Sequence, residues 1–378
     1  MIAKFSPWSP EIYHKSEHPE VVAIRNIISR NSQNNFVLIG VGGQKCEYFK
    51  EKGISFYNFG SNTRFKYLLS FFLRFFLCFP LRPTVIVSMG TIDLIPFGIA
   101  SILTRTKFIP IITGEIWFDL SQVAKPFRKI FAFLLNASLL KAHAVLAISE
   151  SVGKEVENSY RIKSEKVFVY KYKISSTFNP DVPRTLKQIL NPNGKTVLTI
   201  CRISPQKGLE YLVEACQIII REIPNVKVVI KAYSSDERYE ERLRSIINKY
   251  HLQEFIKILK LNVPYSEMPK YMAAADVFVL PSVSEGLGIV ILEALATGIP
   301  VVASRIGGIP DVLVHEYNGL LVEPRDVEGL AEALLRILRD DKLKKQLIEG
   351  GLSTIQRMKE NEIEKLLGKI IFKESKVT

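Results

Sequence analysis

Short apolar runs rich in Val and Ile alternate along this chain with longer stretches in which apolar residues recur every three or four positions. The first pattern suits strands buried in a parallel sheet, and the second suits the helices that cover them, so the alternation predicts βα units. In the first half the predicted strands are 35–41 (NFVLIGV), 84–89 (TVIVSM), 107–113 (KFIPIIT), 144–149 (AVLAIS) and 166–171 (KVFVYK), with helical patterns at 19–31, 93–104 and 123–141. Residues 175–195, rich in Pro, Asn, Ser and Gly, read as a linker. A second series follows, with strands at 196–201, 226–233, 256–260, 277–282 and 299–304 and helices near 208–222, 236–250, 266–274 and 287–297. Two consecutive doubly wound α/β domains are expected, 1–180 and 181–355, with a final helix at 356–378 that can pack back on the first domain. Ligands of open α/β folds bind at the carboxyl edges of the strands, so the functional residues should lie in the loops that leave them.

Composition narrows the class. The 378 residues are 47% hydrophobic and 24% charged, as in a globular protein. Cys46, Cys78, Cys201 and Cys216 form no CxxC pair and lie near no His cluster, so neither a zinc site nor a disulfide framework is expected, and a reducing compartment fits. The opening MIAKFSPWSP lacks the apolar core of a secretory signal, which leads to the expectation of a cytoplasmic protein. The net charge of +13 is uneven: residues 1–180 hold 23 Lys and Arg against 12 Asp and Glu, or +11, and the remainder 28 against 26, or +2. A basic first half suits an anionic membrane surface, an anionic substrate, nucleic acid or a plain solvated surface. Its cations are spread over α/β units rather than interleaved with stacking aromatics, which leaves nucleic-acid binding as a remote alternative.

Three strand-to-helix loops carry the candidate chemistry. In CRISPQKGLEYLVEA a strand ending at Cys201 runs into a helix starting near Gly208, with Arg202 and Lys207 beside the helix start. Free backbone N–H groups, a positive dipole end and two cations are what a diphosphate requires. In SEGLGIVILEALATGIPVVAS, Gly286 and Gly288 permit close approach of backbone and ligand, and the helix that follows is apolar nearly all round except for Glu293. A buried carboxylate needs hydrogen-bond donors or a cation, because burying an unpaired charge costs several kcal/mol, roughly. The third loop, SRIGGIPDVL, is a weaker signal, with Gly307 and Gly308 before a helix opening near Pro310 and Asp311.

The run from Arg202 to about Asp340, through RISPQKG, YMAAADVFVLPSVSEGLGIVILEALATGIPVVASRIGGIPDVL and NGLLVEPRD, resembles the donor-binding domain of the retaining, GT-B-fold glycosyltransferases of family 4. The resemblance implies an α/β GT-B fold, two Rossmann-like doubly wound domains facing a central cleft, and sugar transfer from a nucleotide sugar without a metal ion or other cofactor. It implies that Arg202 and Lys207 bind the diphosphate and stabilise the leaving group, and that Glu285 contacts donor-sugar hydroxyls. Backbone around Gly286, Leu287 and Gly288 would lie nearby, and Glu293 would accept hydrogen bonds from the ribose. Arg202, Lys207 and Glu285 are thus the catalytic candidates. A sugar-nucleotide epimerase on the same architecture is the alternative.

Departures from the family pattern fall in both domains. Where many members carry His-Asp at the end of the fourth strand, IITGEIW places Gly114 and Glu115, which makes Glu115 the acceptor-side candidate. The stretch FSPWSPEIYHKSE lacks the family's glycine-rich loop, and IKAYSSDE replaces a Gly-Asp-Gly-like turn. Residues 64–83 (RFKYLLSFFLRFFLCFPLRP) concentrate their apolar residues in about fifteen helical positions, too few and too interrupted by Arg74 for a membrane span of roughly 20 apolar residues, and fit either a buried helix or a basic aromatic face in the membrane interface. With KPFRKIFAFLLNASLLK (125–141) they raise the expectation of a lipid-linked or surface-glycan acceptor, reached from the inner face of the cell membrane.

Overall fold

The structure is a computed structural model. It describes residues 2–5, 19–30, 36–41, 47–51, 54–59, 75–76, 78–89, 94–114, 116–121, 123, 125–172, 174–260, 263–358 and 362–372. These divide into two compact units. The first holds the described residues up to Tyr172 together with the Glu362–Phe372 helix, and the second holds residues 174–358.

The first unit is built on an eight-stranded sheet: β1 (Ile2–Phe5), β2 (Phe36–Val41), β3 (Glu47–Glu51), β4 (Ile54–Phe59), β5 (Val85–Met89), β6 (Lys107–Ile112), β7 (Val145–Ala147) and β8 (Val167–Val169). Their order is β3-β4-β2-β1-β5-β6-β7-β8, parallel throughout except for the antiparallel β3–β4 pair. The hydrophobic pattern had not marked β1, β3 or β4 as strands. β3 and β4 carry Glu47, Lys50, Glu51, Ser55 and Asn58 among their aromatics, and four residues in β1 are too few for a pattern. The Glu362–Phe372 helix packs on the Pro19–Arg30 helix, where Glu364 accepts from Asn26 Nδ2 at 2.9 Å and pairs with Arg30 at 2.8 Å.

The second unit has six parallel strands, β9 (Thr196–Ile203), β10 (Lys227–Ser235), β11 (Ile256–Leu259), β12 (Val277–Leu280), β13 (Val301–Ser304) and β14 (Leu320–Val322), in the order β11-β10-β9-β12-β13-β14. Chain direction across the sheet reverses between β9 and β12, and the crevice beyond such a reversal is where this topology binds ligands. One sheet face presents Val197, Val228, Ile230, Val277 and Val279 to the Leu209–Glu222, Glu237–Lys249 and Val327–Arg339 helices. Leu209, Leu212, Val213, Cys216 and Ile219 are buried at helical spacing to meet it. Asp236 and Asp326 start two of these helices by accepting from the backbone N–H of Tyr239 (3.0 Å) and Gly329 (2.9 Å). The opposite sheet face is covered by the Ile289–Ala296 helix, whose residues from Ile291 onward are all buried.

Residues 175–195 are not a free linker, and the boundary between the units falls at 172/173 rather than 180. Arg184 donates to the carbonyls of Ala273 (2.8 Å) and Ala275 (2.7 Å), Lys187 to Gly194 (2.7 Å), and Asn191 Nδ2 to Asn225 (2.9 Å). Asn191, one of the residues that give this stretch a loop-like composition, and the charged Arg184 and Lys187 tie it to the amino edge of the second sheet.

Candidate active site

The site is assembled where β9 and β12 end, on the two sides of the reversal. Beyond β9 the chain makes a short 3-10 turn, Pro205–Lys207, and Gly208 turns it into the Leu209–Glu222 helix with φ +57°. A side chain at Gly208 would place its Cβ 2.2 Å from the Pro281 carbonyl oxygen, so the loop after β9 can lie against the loop after β12 only if this residue is glycine. Val283 N–H donates to the Gln206 carbonyl at 2.9 Å and fixes that approach.

The two loops place Lys207 and Glu285 in contact. Lys207 Nζ lies 2.5 Å from Glu285 Oε2, both residues are largely buried, and Ser282 Oγ donates to the same oxygen at 3.3 Å. Burial pulls the Lys207 pKa down, but the facing carboxylate more than reverses this, and the ammonium is held charged above its ordinary value. Gly308 N–H donates to the Glu285 backbone carbonyl at 3.2 Å, which brings the glycine turn after β13 to the same point. Arg202, exposed near the end of β9, donates to Gln206 Oε1 at 3.2 Å. Tyr233, near the end of β10, feels the charges of both Lys207 and Arg202.

Not every donor expected at the helix start is open. The Leu209 N–H is bonded to Tyr239 OH at 3.0 Å, so the cations Lys207 and Arg202, rather than that N–H, supply positive charge here. Gly288, at φ +77°, begins the Ile289–Ala296 helix, and Leu287 beside it is buried. Glu293, 8% exposed, does have a partner within the chain: Tyr265 OH donates to its Oε1 at 2.7 Å. Tyr265, Tyr233 and Ser282 were not singled out by the sequence pattern. Tyr265 and Glu293 are 28 residues apart, and no local spacing signals such a contact.

Thus Lys207 and Glu285 are brought together, Arg202 bonds Gln206, the residue before Lys207, and Glu293 lies one turn into the helix that follows Gly288. Glu115, the stretch 6–18 and most of 64–83 fall outside the described residues. Among the described residues no group of three or more His, Cys, Asp or Glu side chains could hold a metal ion.

The family model for group 1 glycosyl transferases matches residues 184–353. Over 207 residues the chain is 32% identical to an uncharacterized glycosyltransferase of Methanocaldococcus jannaschii, an alignment covering 52% of this chain and 51% of that protein. It is 29% identical over 227 residues to the amylovoran biosynthesis glycosyltransferase of Erwinia amylovora, covering 58% and 51%. The chain therefore spans about half the length of these curated relatives. Among solved structures, sucrose-phosphate synthase from Thermosynechococcus elongatus superposes with a TM-score of 0.77 at 18% identity, over 99% of this chain and 98% of that one. Anabaena HepE in complex with UDP-glucose superposes with a TM-score of 0.74 at 18% identity, over 98% and 97%.

Proposed function

The chain carries a group 1 glycosyltransferase domain at residues 184–353 within a GT-B fold, and from that premise we propose that it transfers a sugar from a nucleotide-sugar donor, with retention at the anomeric carbon. The observation that carries this reading is the buried Lys207–Glu285 pair at the strand-order reversal, with Arg202 beside it. A diphosphate entering there meets two cations against one carboxylate. As the bond from the sugar C1 to the diphosphate oxygen breaks, negative charge grows on that oxygen, and preorganised cations stabilise it. The acceptor hydroxyl attacks C1 from the face the diphosphate leaves, and its proton passes to the departing diphosphate oxygen. Lys207 and Arg202 then do what a bound metal would do elsewhere, so the reaction needs none. Glu285 holds Lys207 charged and contacts donor-sugar hydroxyls, and Glu293 accepts from the ribose. UDP and UDP-glucose are bound by the structural neighbour HepE, which supports a nucleoside-diphosphate-sugar donor.

The acceptor is proposed to be lipid-linked and presented at an anionic membrane surface. On the Lys125–Leu140 helix, Phe127 (55%), Ile130 (55%) and Phe133 (70%) recur every third residue and are exposed, with Lys125 and Lys129 exposed beside them. An apolar stripe flanked by cations is what an interfacial helix presents to anionic lipid. No helix among the described residues is long and apolar enough to cross a membrane. Flotation with liposomes containing phosphatidylglycerol should carry the protein at low salt. The triple variant Phe127→Ser, Ile130→Ser, Phe133→Ser should remain at the bottom; equal flotation of both would remove the membrane from this reading.

The donor reading is tested by thermal shift with UDP, GDP, ADP and their sugar conjugates, since a ligand of the folded state raises its apparent stability. At least one should stabilise the protein, and the anomeric configuration of the transferred sugar, read from its C1–H1 coupling, should match the donor. A wild-type protein that no nucleotide stabilises would overturn the proposal.

A further inference from the structure

β10 and β9 run in register as far as the pair Ala232 and Cys201, and the pairing resumes at Ser235 and Ile203. Two residues, Tyr233 and Ser234, therefore stand opposite one, Arg202, which makes a β-bulge at the carboxyl end of the strand beside the site. Asp236 pins the far side of the bulge: its N–H donates to the Ile203 carbonyl at 2.8 Å, and its side chain caps the next helix. Ala232 and Cys201 are buried, whereas Arg202 and Tyr233, 56% exposed, are open. The bulge thus turns a tyrosine outward next to an exposed cation. This tyrosine stands in IKAYSSDE, where the chain departs from a Gly-Asp-Gly-like turn, so the ring belongs to this chain rather than to the family pattern.

The phenol lies within electrostatic reach of Lys207, Arg202, Cys201 and Glu285. Burial around the hydroxyl raises its pKa and outweighs the two cations that lower it, so the group keeps its proton and is free to donate it in a hydrogen bond. Among the described residues the hydroxyl makes no hydrogen bond. Lys207 is the charge that acts on it most strongly, and Lys207 is bonded to Glu285, the carboxylate assigned above to the donor sugar. The phosphate nearest that sugar is the distal one of the leaving nucleoside diphosphate. From this placement we propose that the Tyr233 hydroxyl donates a hydrogen bond to that distal phosphate, as a neutral third contact beside Lys207 and Arg202. This rests on the nucleotide-sugar reading above and adds a residue to it. The phenol is not an acid in the reaction: the acceptor proton still passes to the diphosphate oxygen as the bond to C1 breaks, and Tyr233 stabilises the charge that grows there.

A neutral contact can be told from a cation and from a stacking surface. A hydrogen bond to a charged group changes affinity on the order of tenfold. It acts only at contact distance and persists in salt, whereas the attraction of exposed Arg202 is screened. A ring that served as a platform would act through its face and would still do so without the hydroxyl.

The test is calorimetry on the full chain with whichever of UDP, GDP and ADP stabilises it most, and with the matching monophosphate read by competition. Tyr233→Phe should weaken the diphosphate about five- to tenfold, equally at low and high salt, and leave the monophosphate within twofold. Tyr233→Ala should add less than twofold to that loss. The melting temperature of the free Tyr233→Phe protein should stay within a degree or two of wild type, because the side chain is exposed. Diphosphate affinity of Tyr233→Phe within twofold of wild type would overturn the proposal, and a loss confined to Tyr233→Ala would make the ring a platform instead. Equal weakening of mono- and diphosphate would also sink it, since the hydroxyl would then act away from the distal phosphate. A wild-type protein that binds none of the three diphosphates would strike the nucleotide-sugar reading itself.

Discussion

The strands β9 and β12 each carry an ion cluster at both ends, and the two clusters are built to opposite purposes. At the amino edge, Asp276 precedes β12 and accepts from the N–H of Thr196, the first residue of β9, at 2.8 Å. Lys187 bonds it directly, Arg184 stands at 3.4 Å and Lys344 at 3.7 Å. Burial would raise the Asp276 carboxyl, but these donors pull it below the usual carboxylate range. At the carboxyl edge, Lys207 follows β9 and Glu285 follows β12, and they meet at 2.5 Å with Arg202 exposed nearby. The first cluster is an anion surrounded by cations that also bond backbone, a closed fastening for the segment before the sheet. The second pairs one carboxylate with a buried cation and leaves another cation facing outward, between two glycine loops, so it retains positive potential for a ligand. Both hold a buried carboxylate with cations in excess; at the amino edge Arg184 and Lys187 also bond backbone carbonyls, whereas Arg202 at the carboxyl edge is exposed.

The largest expected effect that would break this contrast is on transfer. Lys207→Ala should lower kcat about 10²- to 10³-fold, as removal of one preorganised electrostatic donor does, measured as sugar transferred by the folded fraction. A loss under tenfold would place the main phosphate cation elsewhere. Asp276→Ala should do the reverse. It strands Lys187 and the Thr196 N–H, costs about 3 kcal/mol of stability by thermal or urea melting, and leaves the nucleotide dissociation constant of the folded protein unchanged. If nucleotide affinity fell as well, the two edges would not be independent.

A third cluster sharpens the comparison by pH. Glu240, buried, is bonded by Lys260 at 2.9 Å and by Arg244 at 2.9 Å. Burial alone would raise its carboxyl, and these cations together with Ser235 bring it down to about 2 from an ordinary 4.5. A carboxylate whose folded pKa is depressed contributes stability that is present above its unfolded pKa and lost as pH falls through the folded one. Wild type should therefore lose stability between pH 4.5 and 2, and Glu240→Gln should remove about 2 kcal/mol of that dependence; parallel pH profiles would dismiss the cluster. The smallest effect concerns Arg202. Its exposure means Arg202→Ala should leave the melting temperature within a degree or two and weaken nucleotide diphosphate binding about tenfold, less at high salt.

Much of the second unit was legible in the residues. The five predicted strands correspond to β9 through β13, and only β14, three residues long, escaped the pattern. Arg202, Lys207, Glu285, Gly288 and Glu293 could be picked out because each sits at a strand-to-helix junction or interrupts an apolar helix, and such interruptions are local. The first unit was read less well, since β1, β3 and β4 are short or mixed with polar residues and are strands by virtue of their neighbours' hydrogen bonds. Residues 175–195 misled for a similar reason: composition reports that a segment is irregular, but not that its side chains are bonded to the sheet beside it.

By itself the sequence determined the alternation of strands and helices, the basic character of the first half and the places where cations, glycines and carboxylates stand at strand ends, because these depend on residue type and near spacing. The tertiary structure alone decided which of those groups touch. Lys207 meets Glu285 across 78 residues and Tyr265 meets Glu293 across 28. Contacts of that separation arise only when parallel strands bring distant loops to one edge, and no pattern along the chain encodes them.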